Sequence, residues 1–116
     1  MQISQHKLTQ PNDSSHLAFD FEPSVIFLFA SPKFPEIGAL VATLREKYEN
    51  TLLFGCSTAG EIIGNEVADA SVILTAVTFE KTKLKLVQVD LTEHCEHCAD
   101  AGSKISLQLA SEDLRH

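Results

Sequence analysis

No stretch of this 116-residue chain gathers lysine and arginine into a stripe, and sixteen acidic against nine basic residues leave a formal charge of -7. Such a chain has no surface with which to neutralise a row of phosphates, so nucleic acid is not an expected partner. Long apolar runs are missing too. The longest, Val25 to Ala30 and residues 72–76, stop far short of the roughly 18 residues that span a bilayer, and no membrane crossing is expected. The opening Met1-Gln2-Ile3-Ser4-Gln5-His6-Lys7 lacks the basic start and apolar stretch of a secretory signal, which points to the cytoplasm. Three cysteines, an odd number, exclude a fully paired disulfide scaffold and leave metal or redox chemistry as the roles for a thiol. No lysine follows a glycine as the phosphate loop of nucleotide hydrolases requires, and no G-x-G-x-x-G occurs, so nucleotide binding is not expected.

What is present is one modest core, since 44% of the residues are hydrophobic and the length leaves no room for two full domains. Residues 1–23 hold a turn-forming cluster, Pro11-Asn12-Asp13-Ser14-Ser15, and offer little to a core before Leu17, Phe19 and Phe21. They read as a loose lead-in with room for one short strand, ahead of a domain over residues 24–116. Ser24-Val25-Ile26-Phe27-Leu28-Phe29-Ala30 is a continuous β-branched and aromatic run, the pattern of a central strand covered on both faces. Beyond Pro35, the residues Ile37, Leu40, Val41, Leu44 and Tyr48 recur at helical spacing and predict an amphipathic helix, with Glu36 suited to the positive end of its dipole. Leu52-Leu53-Phe54 follows as a strand and completes a βαβ unit. A strand from about residue 70 to 80, then a second over 83–91, predict an antiparallel hairpin, and the changing apolar phase around Leu84, Leu86 and Val87 predicts a bulge near residue 86. From about His97, the residues Cys98, Ala101, Gly102, Ile105 and Leu109 predict a second helix. The fold class is therefore α/β, a mixed sheet with helices packed on it. Leu107, Ala110 and Leu114 make a further apolar seam, so the natural domain is expected to continue past His116.

The most distinctive segment is Gly55-Cys56-Ser57-Thr58-Ala59-Gly60-Glu61, small residues leaving the carboxyl end of a strand. Glycines there let a backbone approach a ligand and aim N–H groups at its oxygens. Cys56, Ser57 and Thr58 add side-chain hydrogen bonds, and Glu61 suits an amine or a cation. A tight connection without a ligand explains the same residues equally well. Gly55-Cys56-Ser57-Thr58-Ala59 also approximates a hydrolase nucleophile elbow, with alanine in place of the last glycine. A triad on Ser57 would need a downstream histidine, and only His94, His97 and His116 qualify.

A second cluster, His94-Cys95-Glu96-His97-Cys98, leaves three readings open. His94, Cys95, His97 and Cys98 carry zinc-ligand chemistry but lack a second ligand pair at the usual spacing. A thiol redox motif would stand suitably at a helix start, yet no proline follows Pro35 to face it. A c-type haem needs histidine at position 99, which is alanine. A polar helix entrance with Cys98 as a small core residue is the plain alternative.

Taken together, Val25-Ile26-Phe27-Leu28-Phe29, the amphipathic helix, Leu53-Phe54-Gly55-Cys56-Ser57-Thr58-Ala59-Gly60-Glu61-Ile62 and Ala70-Ser71-Val72-Ile73-Leu74-Thr75-Ala76 resemble the FIST N domain, a bacterial sensory module. The glycine-cysteine-serine-threonine-alanine-glycine-glutamate stretch is the specific part. The resemblance implies a domain that binds a small ligand, amino acids among those proposed, and signals to a histidine kinase, a cyclic-dinucleotide enzyme or a chemotaxis protein. Some relatives of this type bind haem and sense nitric oxide. The family carries a C-terminal half that this chain lacks, and its motif assigns no catalytic residue, so the chain is not expected to be an enzyme. His94, Cys95, His97 and Cys98 stand outside the matched pattern, and haem or zinc there is a separate hypothesis. Two other classes compete: a thiol- or serine-dependent enzyme at Cys56 or Ser57, and an interaction module whose Leu107 and Leu114 dock a partner, including a homodimer.

Overall fold

The computed structural model describes residues 1–91 and 98–110. The chain divides into two compact units, Met1–Thr82 and Lys83–His116.

The first unit is built on a four-stranded mixed sheet. Its strands are β1 (Gln2–Leu8), β2 (Val25–Ala30), β3 (Leu52–Ser57) and β6 (Val72–Thr78), in the order β1-β6-β2-β3. The helix α1 (Ile37–Lys47) joins β2 to β3, and these strands run parallel with Val25 beside Leu52 and Ala30 beside Ser57. β6 is antiparallel to both of its neighbours. Between β3 and β6 lies a separate two-stranded ribbon, β4 (Glu61–Ile63) and β5 (Glu66–Ala68), turned at Gly64 and Asn65. Gly64 takes the left-handed conformation, φ 59°, that this turn demands and that glycine adopts without a Cβ penalty.

The expected helix forms where the spacing placed it. Leu40 and Leu44 are buried, while Ile37 and Val41 lie half-buried on the same side. They meet Ile26, Leu28, Ala30, Val72, Leu74 and Ala76 from the two central strands, and Leu8, Leu17 and Phe34 close the core. Each fully buried leucine of this kind stabilises the fold by about 1.5–3 kcal/mol. Arg45 and Lys47 occupy the last turn, where positive charge complements the helix dipole. Glu36 caps the helix with φ 57° and no side-chain capping bond, so its contribution is its carbonyl, which accepts from Ala39 and Leu40.

Residues 1–23 hold the seven-residue strand β1 and a 3-10 helix over Pro11–His16. β1 escaped an apolar reading because it is an edge strand: only Leu8 is buried, while Ile3, Gln5 and Lys7 are exposed and the backbone ladder to β6 supplies the binding. The predicted hairpin of residues 70–80 with 83–91 is corrected. β6 has β1 on one edge and β2 on the other, so no free edge remains for a second strand, and residues 83–91 form none. The bulge expected near residue 86 falls with that strand.

In the second unit the described helix is α2 (Cys98–Leu109), in agreement with the predicted one. Leu107 on it is exposed. Among the described residues, no helix is long and apolar enough to cross a membrane.

Candidate functional site at the carboxyl ends of the parallel strands

Because β2 and β3 are parallel, the loops leaving them emerge at one end of the sheet. The amide of Thr58 donates to the carbonyl of Ala30 at 2.9 Å and extends their pairing by a residue. The Ser31 amide donates to the Ser71 carbonyl at 2.9 Å and fastens the first loop to the residue before β6. Between these loops opens a depression of about 470 Å³. Ser31, Pro32 and Lys33 line it from the first loop, Ser57, Thr58 and Ala59 from the second, and Asp69 from the turn ahead of β6.

Opposite charges meet at its wall. The Lys33 ammonium lies 2.7 Å from the Asp69 carboxylate, and both side chains remain largely exposed. The hydrogen bond between them, reinforced by their charge attraction, raises the lysine above its ordinary value and holds the aspartate below its own. Asp69 also accepts from the Ala70 amide at 2.8 Å, which orients its carboxylate.

Glu61 has the opposite character. It is 1% exposed, and both of its oxygens are engaged within the chain. One accepts from the Thr58 hydroxyl at 2.8 Å; the other accepts from the Ser71 hydroxyl at 2.9 Å and, at 3.4 Å, from the Ser71 amide. Burial alone would raise this carboxyl, but the donated bonds from Thr58 and Ser71 outweigh it and hold the group below the usual carboxylate value. Glu61 thus ties the loop after β3 to the start of β6.

The sequence-predicted residues are therefore distributed over three tasks. Gly55 and Cys56 lie within β3 rather than in a loop, and so does Ser57 at its end. A Cβ at Gly55 would collide with the Leu28 carbonyl of the neighbouring strand, which accounts for glycine there without a ligand. Cys56 is an exposed free thiol. Ser57, Thr58 and Ala59 line the depression, Gly60 leads into β4, and Glu61 braces the structure from inside. Sequence reasoning missed Ser31, Pro32, Lys33 and Asp69. A signal for the first three was Pro32 itself, which ends a strand on the side where parallel sheets open their crevices.

His94, Cys95 and His97 lie outside the described residues, and Cys98 is placed as the first residue of α2. Among the described residues, no group of three or more histidine, cysteine, aspartate or glutamate side chains is arranged to hold a metal.

The chain is an α/β sheet with a crevice beyond the carboxyl ends of its adjacent parallel strands, a position general to open α/β sheets. The model of the FIST N domain matches residues 24–116, and the chain belongs to that family, which is associated with sensory signal transduction. Comparison with curated proteins and with solved structures returns no significant match.

Proposed function

We propose that this chain is the ligand-receiving portion of a sensory protein and that its ligand, a small zwitterion of the amino-acid class, is taken up between the loops after β2 and β3. The observation that carries this reading is the Lys33–Asp69 pair on the wall of the depression. A ligand bearing both a carboxylate and an ammonium can part Lys33 from Asp69 and give each an opposite charge in exchange, whereas a singly charged ligand that parts them leaves one without a partner. The exposed Ser57 hydroxyl and the loop backbone beside it offer further hydrogen bonds.

The reading is of binding, not catalysis. A nucleophilic Ser57 or Cys56 needs a base, and the carboxylate that follows them at the start of β4, Glu61, has both oxygens committed to Thr58 and Ser71. Ligand occupancy is relayed, in this reading, to a histidine kinase or a cyclic-dinucleotide enzyme. Haem as the ligand would instead call on His94, Cys95, His97 or Cys98.

Thermal unfolding of the purified protein against the common amino acids tests the proposal, because a ligand selective for the folded state raises the melting temperature. At 100 times the dissociation constant the expected stabilisation is about 2.7 kcal/mol. Lys33→Ala and Asp69→Ala should each weaken binding by about tenfold or more, the range for an unpaired charged group. A melting temperature that no amino acid moves, or a shift that survives both substitutions, would sink the reading.

A further inference from the structure

The four-stranded sheet ends on two edges of different character. β1 forms one and carries the exposed Lys7, a charge of the kind that guards an edge against pairing. β3 forms the other, and among the described residues no strand lies beyond it. Its sequence, Leu52-Leu53-Phe54-Gly55-Cys56-Ser57, has neither charge nor proline. Residues 54–57 are exposed, and Phe54 remains 52% open although its ring meets Phe27 edge-on at 6.2 Å. β3 thus offers main-chain donors and acceptors along its outer side, with an apolar ring beside them.

The chain also holds a strand-forming segment that is in no strand. Lys83-Leu84-Lys85-Leu86 alternates charged and apolar residues and continues into Val87-Gln88-Val89, the composition of a strand. Residues 83–91 nevertheless join no ladder among the described residues, because β6, which they follow, has both edges filled. Leu84, Leu86 and Leu91 are left exposed. Full burial of each such leucine is worth about 1.5–3 kcal/mol.

We infer that residues 83–91 of one copy of this chain add as a strand to the open edge of β3 in a second copy. The pairing satisfies main-chain groups on both sides, and Leu84 and Leu86, which share one face of an extended segment, cover Phe54. Charge favours a second copy as the partner. Lys83 and Lys85 open the segment with positive charge, whereas the whole chain carries -7, so two copies that otherwise repel attract at this point. Each copy gives one segment and receives one, and two such additions close a pair. The inference uses the edge of β3 and not the Lys33–Asp69 crevice, so it stands apart from the ligand reading.

Sedimentation velocity between micromolar and millimolar protein should show reversible self-association. Phe54→Lys spoils the receiving edge and Leu86→Lys spoils the added segment, and each alone should weaken association by about tenfold or more, since charge on a strand edge opposes pairing. Leu86 is exposed and lies outside every strand and helix, so its variant reads the inference even where Phe54→Lys disturbs the sheet. An equimolar mixture of the two variants should associate better than either alone, through the intact segment of the Phe54→Lys copy on the intact edge of the Leu86→Lys copy. A wild-type chain that stays monomeric throughout, an association that Leu86→Lys leaves unchanged, or a mixture no better than its components would overturn the inference.

Discussion

Glu61 is a carboxylate buried to 1% exposure, and its consequence is a pH-dependent fold. Its carboxyl is held below the ordinary value in the folded chain, so the folded state binds this proton less readily than the unfolded one. The stability it contributes is present above the ordinary carboxylate value and is lost as the pH falls through the lowered one. Urea unfolding between pH 7 and pH 3 should show wild-type stability declining with acid, and Glu61→Gln should be less stable at neutral pH with a flatter acid limb. Glu61→Ala leaves the buried hydroxyl and amide of Ser71 without their acceptor, a loss of about 1–3 kcal/mol. Ala70 gives a prediction of opposite sign. Its φ of 53° is costly for a residue with a Cβ, so Ala70→Gly should stabilise the protein by about 1 kcal/mol, read as a higher urea midpoint at unchanged slope.

At the scale of elements, α1 is fastened by few side chains, and Leu44 is the clearest of them at 2% exposure. Leu44→Ala should cost about 2–5 kcal/mol through lost burial and the cavity left behind, measured by denaturant unfolding. α1, β2, β3 and β6 were legible because each carries an apolar period set by burial on a particular face. β1 was not, since a polar edge strand is held by main-chain bonds that leave little trace in side-chain pattern. The hairpin over residues 83–91 was misread for the converse reason. Its alternation is genuine strand propensity, but pairing needs a free edge, and β6 has both edges occupied. In the crevice, Ser57, Thr58 and Ala59 were legible as small residues after a strand. Lys33 and Asp69 were not, because 36 positions of sequence separate them and only the parallel pairing of β2 with β3, with β6 alongside, brings them together.

For the whole molecule, the two ends of the parallel strands present different electrostatics. One carries the matched Lys33 and Asp69, and the other carries the carboxylates of Asp20, Glu22, Glu46 and Glu49 with the Lys47 ammonium among them.

The sheet order has a kinetic consequence as well. β6 sits between β1 and β2, so the last in sequence of the described strands of this sheet occupies the middle, and Gln2 waits for Thr78 as its partner. Such pairings have high contact order, and the loop entropy of closing them must be overcome before they contribute. On the ribosome, β1 emerges first yet remains without its ladder until residues 72–78 have left the exit tunnel. Until then the nascent chain holds β1 and the β6-facing side of β2 as unfinished edges, and their exposure to misassociation lasts as long as translation takes to deliver that one central strand.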